Sequence, residues 1–227
     1  MSNLIELIEY EFKNKELLEA ALTHPSIFNN KQNTLIHNVN YEKLEFLGDA
    51  VLGLIMTEFL IKEYVSETEG SLAKRRAALV SGATLAQVAN KINLGPNIKM
   101  TQGEDLSGGR ENQHNLENCL EALIGALYLD GGFEIAKKFI HTNWISFANE
   151  MHEPPKDPKT ALQEWAQKHS KAIPEYIITK SEGPAHLPKF TVKVIVEDME
   201  EVFAEGKSKK IAERKAAQIL LKKIEGN

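Results

Sequence analysis

The run Glu153-Pro154-Pro155-Lys156-Asp157-Pro158 places three prolines in six residues, and the spacing of apolar residues changes across it. Proline fixes its own φ, lacks a backbone donor and pushes its neighbour out of the helical region, so neither helix nor strand continues through such a run. The chain must fold as two pieces joined by a linker, and each piece must find its own core. With one cysteine, Cys119, no intramolecular disulfide can assist.

Before the break, apolar residues recur at helical spacing: Leu4/Leu7/Ile8, Leu17/Leu18/Leu22, Leu72/Leu79/Val80 and Leu85/Val88/Ile92. Gly95-Pro96 and Gly131-Gly132 punctuate them, and no period-2 strand is evident. After the break, Asp157-Pro158 is a capped helix start, and a helix runs past Leu162 and Trp165 to about His169. Phe190, Val192, Val194 and Val196 then alternate with Thr191, Lys193 and Ile195, as in a half-buried strand, with Tyr176–Lys180 and Val202–Glu205 as strand candidates on either side. Ser208 caps a last helix bearing Ala212, Ala216, Ala217, Leu220, Leu221 and Ile224. The expected fold is an all-α domain over 1–150, a linker over 151–157, and a small α+β domain in the order α-β-β-β-α over 158–226.

Charge divides at the same place. The chain carries 27 basic and 32 acidic residues, net −5, which taken alone argues against a nucleic-acid partner. Residues 1–150 hold 13 basic and 20 acidic residues, net −7, whereas 151–227 hold 14 and 12, net +2. The apolar stretch Ala50–Met56 is far shorter than the roughly 20 residues of a membrane span. Met1–Glu6 lacks the layout of a signal peptide, so a soluble cytoplasmic protein is expected.

Within the acidic piece, Glu42, Glu45 and Asp49 stand at i, i+3 and i+7, on one helical face among Leu44, Phe46 and Leu47. Carboxylates so close repel, apolar flanks raise the cost of ionising them, and a hard divalent cation removes the conflict. Asn118 and Glu121 form a second polar pair at i, i+3 in another apolar helix. Spacing alone also admits a solvated acidic surface. If the two helices pack face to face, Glu45, Asp49, Asn118 and Glu121 converge.

Glu42–Leu52 resembles the signature of the ribonuclease III family, E-x-L-E-F-L-G-D and its apolar continuation. Glu121–Ala126 resembles the family's second acidic motif, and Leu22-Thr23-His24-Pro25-Ser26 its early L-T-H-x-S segment. Residues 157–226 resemble the double-stranded-RNA-binding domain that follows in the bacterial enzymes. The resemblance covers nearly the whole chain. It implies a Mg²⁺-dependent endonuclease (Mn²⁺ a possible substitute) that cuts double-stranded RNA as a homodimer, with no membrane and no small-molecule cofactor. It further implies 5′-phosphate and 3′-hydroxyl ends, two-nucleotide 3′ overhangs, and ribosomal RNA precursors among the substrates. The implied metal ligands are Glu45, Asp49 and Glu121, with Asp49 and Glu121 catalytic. The family's fourth acid falls on Asn118, which keeps a carbonyl oxygen but brings no charge. Weaker metal affinity is the expectation, and a protein that binds without cutting is the alternative. Glu42 and Glu69 match family acids near the cleavage site, though Glu69 alone also reads as a solvated loop acid.

In the second piece, three regions suit duplex RNA, which is read through 2′-hydroxyls and phosphates across successive grooves. They are Thr160, Gln163 and Glu164 on the first helix, His186 in the Gly183–His186 loop, and Lys207, Ser208, Lys209 and Lys210 at the last helix. Each also fits a plain surface. Cations at a helix N-terminus are misplaced with respect to its dipole, and an anion there relieves the misfit. Lys74-Arg75-Arg76 reads equally as a phosphate contact or a solvated face. Cys119 reads as a small buried filler, His24 as a residue ordering the turn at Pro25, and Trp165 as a core or interdomain aromatic.

Overall fold

The computed structural model describes residues 7–28, 40–184 and 188–225. Contacts divide the chain into two units, Met1–Pro155 and Lys156–Asn227. The helices of the first unit are α1 (Lys15–Ala21), α2 (Tyr41–Glu63), α3 (Glu69–Leu79), α4 (Gly82–Lys91), α5 (Gln102–Leu106), α6 (Gln113–Gly131) and α7 (Phe133–Glu150). Side chains that accept from first-turn amides start most of them: Asn14, Asn40, Thr68, Ser81 and Asn112. The expected absence of strands there holds among the described residues, apart from a single bridge between Thr23 and Lys99.

Helix α6 is the hub. Leu116, Cys119, Leu120 and the run Ala122–Leu127 are all buried, so it is apolar around most of its circumference. It packs against α1, α2, α4 and α7. Its C-terminal Asp130 accepts from the Tyr10 hydroxyl (2.8 Å) and from the amides of Lys13 (2.8 Å) and Asn14 (2.9 Å), fastening the early chain to the hub. Trp144 of α7 is fully buried, and its indole donates to the Leu79 carbonyl at 2.9 Å.

Arg75 corrects the surface reading of Lys74-Arg75-Arg76. It is 1% exposed, donates to both Glu67 oxygens at 2.8 and 2.6 Å, reaches the carbonyls of Met151 (2.5 Å) and His152 (3.3 Å), and lies 3.9 Å over the Tyr64 ring. It is an internal strut. Arg76 is exposed and donates to the Thr57 hydroxyl, and Lys74 is exposed.

The second unit comprises α8 (Pro158–Lys168), β1 (Glu175–Glu182), β2 (Lys189–Ile195), β3 (Val202–Gly206) and α9 (Lys209–Glu225), the predicted order. The sheet is antiparallel, β1-β2-β3, pairing Tyr176 with Val194 and Val194 with Val202. Val192, Val194 and Val196 turn inward as their alternation requires, and Val194 and Val196 pack with Leu162, Val202, Ala204, Ala216, Ala217 and Leu220. A β-carbon on Gly206 would meet the Ala212 amide nitrogen at 2.6 Å, so glycine lets the last strand run hard against α9. Ser208 caps that helix, accepting from the Ile211 amide at 3.3 Å. Trp165 packs part-buried on this core and stacks on His169, ring centroids 4.4 Å apart.

Candidate functional site

The acids of the two motifs meet because α2 and α6 touch backbone to backbone. A β-carbon on Gly48 would fall 1.8 Å from the Glu121 carbonyl oxygen, and one on Gly125 would fall 2.2 Å from the Leu44 carbonyl oxygen. Reciprocal glycines remove the side-chain layer that normally holds helices 8–10 Å apart. Glu45 and Asp49, flanking Gly48, therefore stand beside Glu121. Asn118, one turn back on α6, is half-buried, and its amide lies 3.4 Å from His114 Nε2.

Charge at this crossing is in conflict. Burial pushes the Glu121 carboxyl up to about 8, helped by Asp49, Glu117 and Glu45. Burial also raises Glu45, with Glu42 and Glu117 adding to the rise and His114 opposing it. Glu117 and His114 were missed in the sequence. Their positions one turn before Glu121 and Asn118 were the available signal. His114 Nδ1 lies 3.9 Å from Glu117.

The donor set is made of oxygens, which suits a hard divalent cation rather than a soft one. Half-buried carboxylates that repel one another are the groups such a cation neutralises, so the residues fit it. Among the described residues, no three His, Cys, Asp or Glu side chains already stand in a metal-holding arrangement. A cation would have to draw them together.

The other residues singled out in the first unit are dispersed. Glu42 is exposed at the start of α2. Glu69 opens α3 and lines a hollow of about 270 Å³ with Thr57, Leu60, Ile61 and Arg76, apart from Glu45 and Glu121. Cys119 is fully buried, its thiol 3.4 Å from the Ala21 carbonyl oxygen. His24 accepts from the Ser26 amide at 3.2 Å, ordering the turn at Pro25.

In the second unit, Thr160, Gln163 and Lys210 line one hollow of about 370 Å³ with Asp157, Lys159, Ile173, Pro174 and Tyr176, so the first helix and the start of the last share a surface. Glu164 is exposed and pairs with Lys156 at 3.4 Å. Lys209 lies 3.8 Å from the buried Glu213, which also pairs with Lys159 at 2.5 Å. Lys207 and Lys210 are exposed and form no ion pair among the described residues. His186 lies outside the described residues.

Comparison with known proteins gives this geometry a context. A family model described as Ribonuclease-III-like matches residues 14–147, and the double-stranded RNA binding motif matches 158–224. The chain is 52% identical over 219 residues to a protein named Ribonuclease 3 from Wolbachia sp. subsp. Drosophila simulans (strain wRi), covering 96% of this chain and 94% of that one. It is 51% identical over 219 residues to Ribonuclease 3 of Ehrlichia ruminantium (strain Gardel), covering 96% and 95%. Among solved structures, the nuclease domain of ribonuclease III from Campylobacter jejuni is similar at 44% identity and a TM-score of 0.56, over 63% of this chain and 97% of that one. That structure is described in terms of flexibility in a region involved in dimer formation.

Proposed function

This chain belongs to the ribonuclease III family and is an endoribonuclease directed at double-stranded RNA; from that premise we propose how its own residues do the work. The observation that carries the reading is the α2–α6 crossing, where Gly48 and Gly125 bring carboxylates from two helices into mutual repulsion. Glu45, Asp49 and Glu121 would hold Mg²⁺, or Mn²⁺ in its place, with Asn118 offering a neutral carbonyl oxygen. When bound, the cation supplies a water of lowered pKa and a counter-charge for the phosphate. Asp49, the most exposed of the three, would hold the cation from the solvent side, and the half-buried Glu121 from the other.

The second unit supplies the grip. Thr160, Gln163 and Glu164 present hydrogen-bonding groups toward ribose hydroxyls, with His186 assigned to the neighbouring groove by the family pattern. Lys207, Lys209 and Lys210, with Ser208 capping, meet phosphate at the start of α9. We assign the domain limits as 1–150 and 158–226, with Glu42 and Glu69 near the cleavage site. The exposed apolar side chains of α2, Phe46 (81% exposed), Leu54 and Ile61, support a homodimer. Two sites in such a dimer would cut opposite strands, leaving 5′-phosphate and 3′-hydroxyl ends and two-nucleotide 3′ overhangs, on ribosomal RNA precursors among other structured transcripts. Among the described residues no helix is long and apolar enough to cross a membrane, in keeping with a cytoplasmic enzyme.

The test is cleavage of a long RNA duplex with Mg²⁺ or with EDTA. Cleavage that needs Mg²⁺ and disappears in Glu121→Gln, with duplex binding retained, is expected. Cleavage that persists in EDTA refutes the metal assignment. Asn118→Asp should lower the Mg²⁺ concentration needed for half-maximal rate, and an unchanged requirement removes Asn118 from the ligand set.

A further inference from the structure

Tyr41 opens α2. It is 4% exposed, its hydroxyl is buried, and that hydroxyl has no hydrogen-bond partner among the described residues. A buried unpartnered hydroxyl is costly, and native structures retain few of them without a reason. The ring is held edge-on to His24, centroids 6.3 Å apart. The titratable groups that raise the phenol beyond the effect of burial are Cys119, Glu45 and Glu121, all at the α2–α6 crossing. The Cys119 thiol already faces the Ala21 carbonyl oxygen.

Helix geometry selects among the others. Tyr41 and Glu45 are separated by four residues and share a face, and helical side chains lean toward the N-terminus, so Glu45 leans over the turn that carries Tyr41. Burial holds the phenol above its ordinary pKa, so it stays a protonated donor at any working pH. Carboxylates that ligate metals are themselves hydrogen-bonded by neighbours that fix their orientation.

We infer that Tyr41 is a positioning residue for the metal site: its hydroxyl donates to the Glu45 carboxylate when a cation gathers the acids, and stands without a partner until then. The inference rests on the proposed metal site, so the full-length protein is first titrated with Mn²⁺ alone, following loss of the free-ion EPR signal. Tyr41→Phe is measured beside it, together with its melting by circular dichroism in EDTA. The variant loses one oxygen and no packing volume. It should melt no lower than the wild type without metal, and should bind Mn²⁺ about tenfold to a hundredfold more weakly. Unchanged Mn²⁺ affinity in the variant overturns the inference and leaves the metal site standing. A lower metal-free melting temperature shows that the hydroxyl has a structural partner, and also overturns it. A wild type that binds no Mn²⁺ refutes both.

Discussion

Gly48→Ala places one methyl group at the α2–α6 crossing. The new β-carbon would stand 1.8 Å from the Glu121 carbonyl oxygen, 2.6 Å from its carbon and 3.0 Å from the Gly125 nitrogen. All three are backbone atoms, so no side chain can swing aside. Ordinary contact begins at 3.4 Å, and the helices must part by about 1.6 Å. Overpacking costs about 1–3 kcal/mol, and rigid obstacles put this site at the upper end. Alanine's helix propensity returns up to about 1 kcal/mol. A net loss of about 2 kcal/mol lowers the melting temperature by roughly 4–8 °C in a domain of this size. A displacement beyond 1 Å between catalytic groups costs on the order of a hundredfold in rate. The control is Gly53→Ala on the same helix, where a β-carbon meets nothing within 4 Å and propensity alone should raise stability by about 0.5–1 kcal/mol. Thermal melts and duplex cleavage of both variants test the reasoning. A Gly48→Ala protein that melts at or above the wild type refutes it.

The Glu121 carboxyl, about 8 when folded against an ordinary 4.5, holds its proton more tightly in the folded state. The metal-free protein should therefore be most stable near and below pH 4.5 as far as this group is concerned, and lose that contribution as pH rises through about 8. Melts in EDTA between pH 5 and 9 should show the loss, and Glu121→Gln should reduce it; an identical pH profile in the variant excludes Glu121 as the source. In the second unit, replacing Lys207 or Lys210 with Gln should lower the slope of log affinity against log salt by roughly one for each lysine that meets phosphate. Lys209→Gln should do less, because Lys209 shares Glu213 with Lys159. An unchanged slope at Lys207 and Lys210 rejects the phosphate contacts.

Local rules made the helix-strand order and the capped starts at Asp157 and Ser208 legible, because caps, prolines and period-2 alternation act over a few residues. The i, i+3, i+7 acids were visible for the same reason. What brings them to Glu121 was not visible: Gly48 and Gly125 are 77 positions apart, and only the packed pair shows that each fits the other's backbone. Arg75 was illegible in the same way, since its neighbours Lys74 and Arg76 are exposed and its partners Met151 and His152 arrive from the far end of the unit. Lys207, Lys209 and Lys210 counted as three like charges in the sequence, and Glu213, one turn beyond Lys209, already compensates one of them.

The chain has two tryptophans, and the fold assigns one to each unit. Trp144 is fully buried with its indole nitrogen tied to a backbone carbonyl, so its emission should lie at short wavelength and shift red when the helical unit opens. Trp165 is only part-buried and stacks on an imidazole, so it should emit further to the red. Removing either by Trp→Phe leaves an intrinsic optical reporter for the other unit. The nuclease and the RNA-binding units can thus be followed separately, in the intact chain and without a label, as they unfold or take up their ligands.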